Sequence, residues 1–471
     1  MQKKQSNEYL DTVIIGSGLS ALNFIETYSK KKKIDVISPN FNFKLSGGGI
    51  EKIKFLPSQM RNKKTQVENY FIGNNLKKTK NCKIIGSLDQ GGLSNYWGLQ
   101  IDNYINLDDQ RINKKTKNEI NKSFFELLKS CKLLGKFKFK KKVYSNEYKI
   151  PDYLEKLKKK KFRNFNLQKP ILAFNKLLKN KDLNSLNEYK DKLNSSNFIK
   201  IKKLKSRVHL HNYYLEGMTQ IGKKIKLICK NREGYKIFIA NKVILAAGTI
   251  ATTKIVMEFL KVKHEVKIKH HPRLISVYFG KKRIKSNLKF TPSLIQFIGK
   301  GKDNQFAADF RPGNKLITDS MLELSKLLYP FKFLINFIKD RLIFSNILLS
   351  SKYSDLYIKN DKSKFYIYTK KNFLLDKLKE ANSKTFSFLL KNKLIFPFFK
   401  THFPGVGSDF HYFGTLSINN NSNLSVNEKC QLKNHKNIYI IDSSVFNFKS
   451  NKYPLGIVMA NARRIGKLLS R

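Results

Sequence analysis

The sequence predicts an α/β protein: a Rossmann-like domain assembled from discontinuous segments, with an α+β unit inserted between them. Three observations predict it. A glycine-rich turn joins an apolar strand to a helix near the N-terminus, a second wholly apolar strand runs from Val243 to Leu245, and a third, Ile438–Ile441, precedes a C-terminal helix. The chain has 471 residues, where one domain takes roughly 100–200, so two or more units are expected. It is 41% hydrophobic, with 36 Phe and 21 Tyr, which is too apolar for a disordered basic tail.

Residues Asp11–Ile15 read as a strand, Gly16-Ser17-Gly18-Leu19-Ser20-Ala21 as a turn, Leu22–Ser29 as a helix and Ile34–Ile37 as a second strand. In such a βαβ start the first glycine makes the tight turn and the second lets a pyrophosphate approach a helix N-terminus. The third position, here Ala21, needs a small side chain between helix and strand. At the end of the second strand, where an acid is expected to meet a ribose, the chain has Ser38, Pro39 and Asn40, so Ser38 or Asn40 is the expected ribose partner. The segment Gly86–Gly98 holds the only Trp, Trp97, among Gly91, Gly92, Ser94 and Asn95, a composition suited to close backbone approach.

Residues 101–200 read as mostly helical and lysine-rich, and 200–242 as short strands around the turn Asn231–Gly234. Val243–Leu245 followed by Ala246-Ala247-Gly248-Thr249 reads as a central parallel strand turning into the helix Thr252–Leu260. Between 264 and 400, β-rich stretches (Leu274–Phe279, Ser345–Ile358, Phe365–Thr369) flank the amphipathic segment Met321–Ile343, whose apolar face is expected in the core rather than on a membrane surface. The last seventy residues carry His402, Gly407–Thr415 with His411, Asp442-Ser443-Ser444, and Tyr453-Pro454-Leu455-Gly456 opening the final helix. Proline suits a first turn, and a helix start suits an anionic group.

Lys and Arg number 93 against 34 Asp and Glu, a formal charge of +59. Clustered lysines neutralise phosphates, but here the clusters (Lys30–Lys33, Lys140–Lys142, Lys158–Lys161, and Lys202, Lys203 and Lys205) are scattered. No specific nucleic-acid partner is expected. A field this positive attracts anionic substrates and admits peripheral association with an anionic membrane. Cys82, Cys131, Cys229 and Cys430 show no paired spacing, so no metal site or disulfide framework is expected, and a reduced, cytoplasmic setting fits. The N-terminal apolar run is too short for a signal peptide. The stretch Leu327–Leu349 is broken by Lys332, Lys339, Asp340 and Arg341, so no membrane span is expected.

Taken together, these motifs resemble the glucose–methanol–choline (GMC) family of FAD-dependent oxidoreductases. The matching segments are Gly16–Ala21, Gly91–Asn95 with Trp97-Gly98, Ala246–Thr249 with Thr253, His270-His271-Pro272, His411–Thr415, and Ile441–Phe446 followed by Pro454. The resemblance implies an FAD-binding domain from residues 1–120, 195–263 and 401–471, a helical insertion at 121–194, and a substrate domain at 264–400. It implies that Gly16, Gly18 and Ala21 meet the FAD pyrophosphate, with Gly91, Gly92, Ser94 and Asn95 beside the flavin ring. Ala247, Gly248, Asp442, Pro454 and Leu455 would then complete the cofactor site.

His411 maps onto the family's catalytic histidine. It would take the proton of a substrate hydroxyl as a hydride leaves a CH–OH group of an alcohol, sugar or polyol for flavin N5. His402 is the reserve candidate, and His270 and His271 are expected to be structural. The family's second catalytic position, usually Asn or His, holds Tyr453, with Asn451 two residues earlier. The residues after Gly414-Thr415 also depart from the family pattern, being Leu416-Ser417-Ile418. The electron acceptor is not specified by these residues. The departures leave room for a flavin-fold protein acting on another bond, or for a basic binding protein at an anionic surface.

Overall fold

A strand whose end, Thr12–Ile15, is buried must have its backbone groups met at both edges, and Glu8–Ile15 has a neighbour on each: Ile15 pairs in parallel with Leu245 and with Ile37. The computed structural model describes residues 7–28, 33–39, 70–71, 74–79, 82–88, 90–95, 97–102, 109–173, 207–231, 233–285, 292–300, 306–324, 326–361, 364–370, 375–449, 451 and 453–471. Asn40, Asp89, Tyr96, Arg232, Lys30–Lys32 and the stretch 174–206 with Lys202, Lys203 and Lys205 lie outside them, as does the side chain of Asn95.

Five strands from separated parts of the chain form the parallel core of the first sheet. Val208–His211 pairs with Ile34–Ile37, which pairs with the first strand; the first strand pairs with Tyr235–Leu245, and Ile438–Ile440 joins Val243–Leu245. The antiparallel strands Tyr214–Ile221 and Lys224–Lys230 extend it. Helix Leu19–Thr27 lies against the C-terminal helix Leu455–Leu469, with Thr27 Oγ1 donating to Arg463 O at 3.0 Å. Ala21 is fully buried, as a small-residue contact between helix and strand requires.

A second, antiparallel sheet runs in the order Ile395–His402, Arg273–Gly280, Leu342–Leu349, Phe306–Pro312, Ile295–Gly299, Phe165–Gln168. A smaller sheet joins Val266–Ile268, Leu356–Asp361, Lys364–Tyr368 and Leu76–Lys78. His270-His271-Pro272 is the link from the small sheet to the large one, with Leu349 N donating to Pro272 O at 2.9 Å. All four cysteines are buried and unpaired. No helix among the described residues is long and apolar enough to cross a membrane.

Two expectations are corrected. The described part of 101–200 is not mostly helical: besides helices Lys114–Ser130 and Asp152–Lys159 it holds a hairpin, Gly135–Phe139 with Lys142–Asn146, and a strand of the large sheet. Lysine content masked a period-two alternation, since Phe137 is buried while Lys136 and Lys138 point outward. The segment Met321–Ile343 is not a core helix. It is broken into Lys315–Leu324, a 3₁₀ turn holding Pro330, Lys332–Ile338 and a further 3₁₀ turn. Leu322, Ile335, Leu342 and Ile343 are buried, but most of the apolar side chains between 327 and 337 face outward, Leu327 being 86% and Phe333 85% exposed. Proline removes a backbone donor and ends the helix, and periodicity alone does not say which face is covered.

Gly16 makes the turn with φ of +102°, and a Cβ there would stand 2.5 Å from Ala246 O. Gly16→Ala is therefore expected to destabilise the fold by about 2 kcal/mol or more, read from urea unfolding midpoints. A variant as stable as the parent would mean the two strand ends do not approach this closely.

Candidate active site

The loops after Ile15, Ile37, Leu245 and Ile440 all leave the carboxyl ends of parallel strands, the edge at which open α/β sheets bind ligands. Helix Leu19–Thr27 starts at Gly18 with no side-chain cap and no acidic residue in its first turn, so its N–H groups can meet an anion. A Cβ at Gly18 would approach only Gly91 O, at 3.9 Å, and at Gly92 and Gly248 it would meet nothing within 4 Å. Gly92 and Gly248 have φ of +55° and +84°. This open, glycine-lined edge fits a dinucleotide, with Gly16, Gly18, Gly91, Gly92, Ala247 and Gly248 the residues available to hold one. Ser17 Oγ accepts from Gly91 N at 2.9 Å and lies 2.8 Å from Ser38 Oγ, so Ser38 stands at the expected strand end. Ser94 turns back to donate to Gly91 O.

Asp442 ties the C-terminal strand to the helix Thr249–Phe259. Its Oδ2 accepts from Gly248 N at 3.1 Å and Thr252 Oγ1 at 2.5 Å, and its Oδ1 from Ser444 N and Oγ. Burial raises its pKa and these donors oppose the rise. The carboxylate is thus engaged by the protein, leaving the neighbouring turn to line the edge. Thr249 Oγ1 donates to Tyr412 O, and Thr253 Oγ1 meets Thr415 Oγ1 at 2.6 Å, so the motif around 249 and the motif around 412 form one unit.

A second buried carboxylate, Asp409, organises the histidines. Its Oδ1 lies 3.0 Å from His270 Nδ1, and its Oδ2 accepts from His271 N at 2.8 Å and His411 N at 3.3 Å. The histidines and these hydrogen bonds hold its acid well below the usual carboxylate range in spite of burial. His270 and His271 are fully buried, in keeping with a structural role, whereas the His411 side chain keeps 19% exposure. Burial brings the His411 imidazole down to about 3; Asp409 opposes this, and His271, Arg273 and Arg311 reinforce it. A ring so placed is neutral at ordinary pH, with a nitrogen free to accept a proton, although desolvation makes it a weaker base than a free imidazole. Its centroid is 4.6 Å from the Tyr453 ring, edge to face. Asn451 is also buried, and its Nδ2 has no partner among the described residues. His402, on the edge strand, is exposed.

The ceiling of the site was not foreseen in the sequence. Tyr453 Oη donates to Asp309 Oδ2 at 2.7 Å, Arg311 holds the same oxygen at 2.6 Å, and Tyr453 N donates to Asp102 Oδ2 at 2.8 Å. Burial and the Asp309 charge keep the Tyr453 phenol protonated well above its ordinary range. Asp309 and Arg311 alternate within the buried strand Phe306–Pro312. Two ionisable residues at period two inside an apolar strand were the available signal.

No protein-family model and no curated protein matches the sequence. Among solved structures, the chain is similar to formate oxidase of Aspergillus oryzae RIB40, studied for its FAD modification. The TM-score is 0.61 at 12% identity, covering 99% of each chain. It is also similar to pyridoxine 4-oxidase from Mesorbium loti, with a TM-score of 0.58 at 10% identity over 97% of this chain and 98% of the other. The likeness is one of fold and runs almost end to end. The α/β architecture with a Rossmann-like domain is that of these proteins.

Asp409→Ala leaves His270 and the two backbone donors without their acceptor inside the protein. The expected loss is about 3–5 kcal/mol of unfolding free energy by urea titration. A loss below about 1 kcal/mol would show that Asp409 is not the organising charge.

Proposed function

We propose that the chain is an FAD-dependent oxidoreductase that oxidises a CH–OH group of a small alcohol or sugar. The domain division in this reading is the one the GMC resemblance implies. The observation that carries the reading is the neutral, partly accessible imidazole of His411, a residue whose backbone N–H is held by Asp409 at the carboxyl edge of a glycine-lined parallel sheet. The end-to-end likeness in fold to formate oxidase and pyridoxine 4-oxidase supports it, and so does the FAD of the former.

When bound, FAD supplies at N5 the acceptor for the carbinol hydride. The chain's own residues do the rest. His411 takes the hydroxyl proton, so that loss of hydride and proton together leaves a carbonyl. Imidazole is apt here because it is uncharged before the transfer and cationic after it, near the Asp409 carboxylate. Tyr453 does not serve as a base; its hydroxyl is committed to Asp309, and its ring sets one wall of the site against His411. Asn451 offers Nδ2 as a donor to the substrate oxygen. The helix N-terminus at Gly18 holds the pyrophosphate.

Two measurements test this reading. In His411→Ala, FAD content should stay near that of the parent while anaerobic flavin reduction by substrate slows by about 10²-fold or more. An unchanged rate removes His411 from the chemistry. In the parent the reduction rate should stay level from about pH 8 to about pH 5, because the ring protonates only as pH falls towards its lowered pKa. A rate that falls through an inflection near the ordinary histidine value would mean that the ring is not desolvated as described.

A further inference from the structure

Two guanidinium groups lie near His411, and only one of them is held in a contact ion pair. Arg311 is paired with Asp309 through Nη2 at 2.6 Å and Nε at 3.0 Å. Arg273 has no carboxylate and no hydrogen-bond acceptor for its side chain among the described residues, and its Nε is buried without a partner. Its guanidinium sits 5.3 Å from the centroid of the Phe410 ring. Asp409, the nearby acid, is already committed to His270, His271 and His411.

Register places both arginines over the site. Side chains alternate across a sheet, so Arg273, Ile275 and Val277 share one face. Val277 is paired with Phe344, and Phe344 with Arg311, which carries that face across to Asp309 and Tyr453. Ile275 is likewise paired with His402, which sets that histidine on the same face.

We propose that Arg273 binds an anionic substituent, a carboxylate or phosphate, of the alcohol that is oxidised. The proposal rests on the reading above and narrows its substrate class. A part-buried cation whose Nε is closed off from water and partners is costly to leave without an anion, and a guanidinium fork matches two oxygens of either group. The neutralised Arg311 cannot fill this role, and the strongly positive chain draws anions towards the site.

Acetate and inorganic phosphate, which cannot be oxidised, serve as probes. Titration calorimetry on the purified chain reads their binding whether or not flavin is present, so failure of the flavin reading and failure of this one are separate results. At least one anion should bind saturably, and the tighter of the two tells carboxylate from phosphate. Arg273→Met should weaken it by about 10- to 100-fold, with Arg273→Lys in between and both variants showing the parent's circular dichroism. Binding of neither anion by the parent, or equal binding by Arg273→Met, overturns the proposal.

A separate observation concerns the surface. Leu327, Tyr329, Phe331, Phe333, Leu334 and Phe337 are each more than half exposed within one short, broken helical segment. Cations surround them. Lys332 lies over the Tyr329 ring at 5.7 Å and Arg283 over the Phe337 ring at 6.0 Å, and Lys281, Lys282 and Lys285 flank Arg283. The loop is held to the segment by Ile284 N donating to Asp340 O at 2.7 Å. We infer that this face docks on an anionic lipid bilayer. Aromatic side chains enter the headgroup boundary while the ring of lysines and arginines meets lipid phosphates. A second copy would set cations against cations.

The holoenzyme should co-sediment with phosphatidylcholine vesicles containing phosphatidylglycerol and much less with phosphatidylcholine alone. The double variant Phe333→Ser, Phe337→Ser should lose at least about tenfold in affinity. Undiminished binding by the double variant would reduce the effect to scattered lysines. A dimer of the parent that the same variant dissociates in analytical ultracentrifugation would assign the face to a second copy. Either result overturns the proposal.

Discussion

A carboxylate buried to exclusion of water must be met by donors on every side, and Asp409 meets this requirement by drawing in three histidine residues from two parts of the chain. That constraint decides much of what surrounds it. It fixes the link His270-His271-Pro272, from which the strand of Arg273 begins, and it fixes the backbone of His411 beside the carboxyl edge of the parallel sheet. The ring of His411 is then desolvated and close to positive charge, so its neutral form is favoured. Asp442 performs the parallel task one turn away, closing the C-terminal strand onto the helix that begins at Thr249. Structure and chemistry are coupled here through two buried acids, neither of which needs to touch a substrate.

The half built on the parallel sheet was legible because its physics is local. The strand Ile34–Ile37 has the bounds read from the sequence, and the turns at Gly16 and Gly248 stand at strand ends as their small residues imply. Small residues are demanded there by close backbone approach, a requirement that leaves a readable trace. His411 stands out in the sequence only through the set of motifs around it, since a lone histidine before Gly-Thr carries little by itself.

The half built on the antiparallel sheet was less legible for two physical reasons. Alternation tells that a strand has two faces but not which face looks into a site, so Asp309, Arg311 and Arg273 passed as ordinary charged residues until the pairing of Val277, Phe344 and Arg311 set them in one row. The amphipathic segment after Met321 was misplaced for the complementary reason. An apolar stripe shows that something should cover it, and the sequence does not say whether the cover belongs to the same chain.

The central claim is that the glycine-lined edge of the parallel sheet holds FAD. The most direct measurement is the visible absorption spectrum of the purified protein, repeated after incubation with added FAD and removal of excess. The account predicts flavin bands on the protein, close to one FAD per chain, released on unfolding or retained if the link is covalent. A folded chain that takes up no flavin under either condition would contradict it.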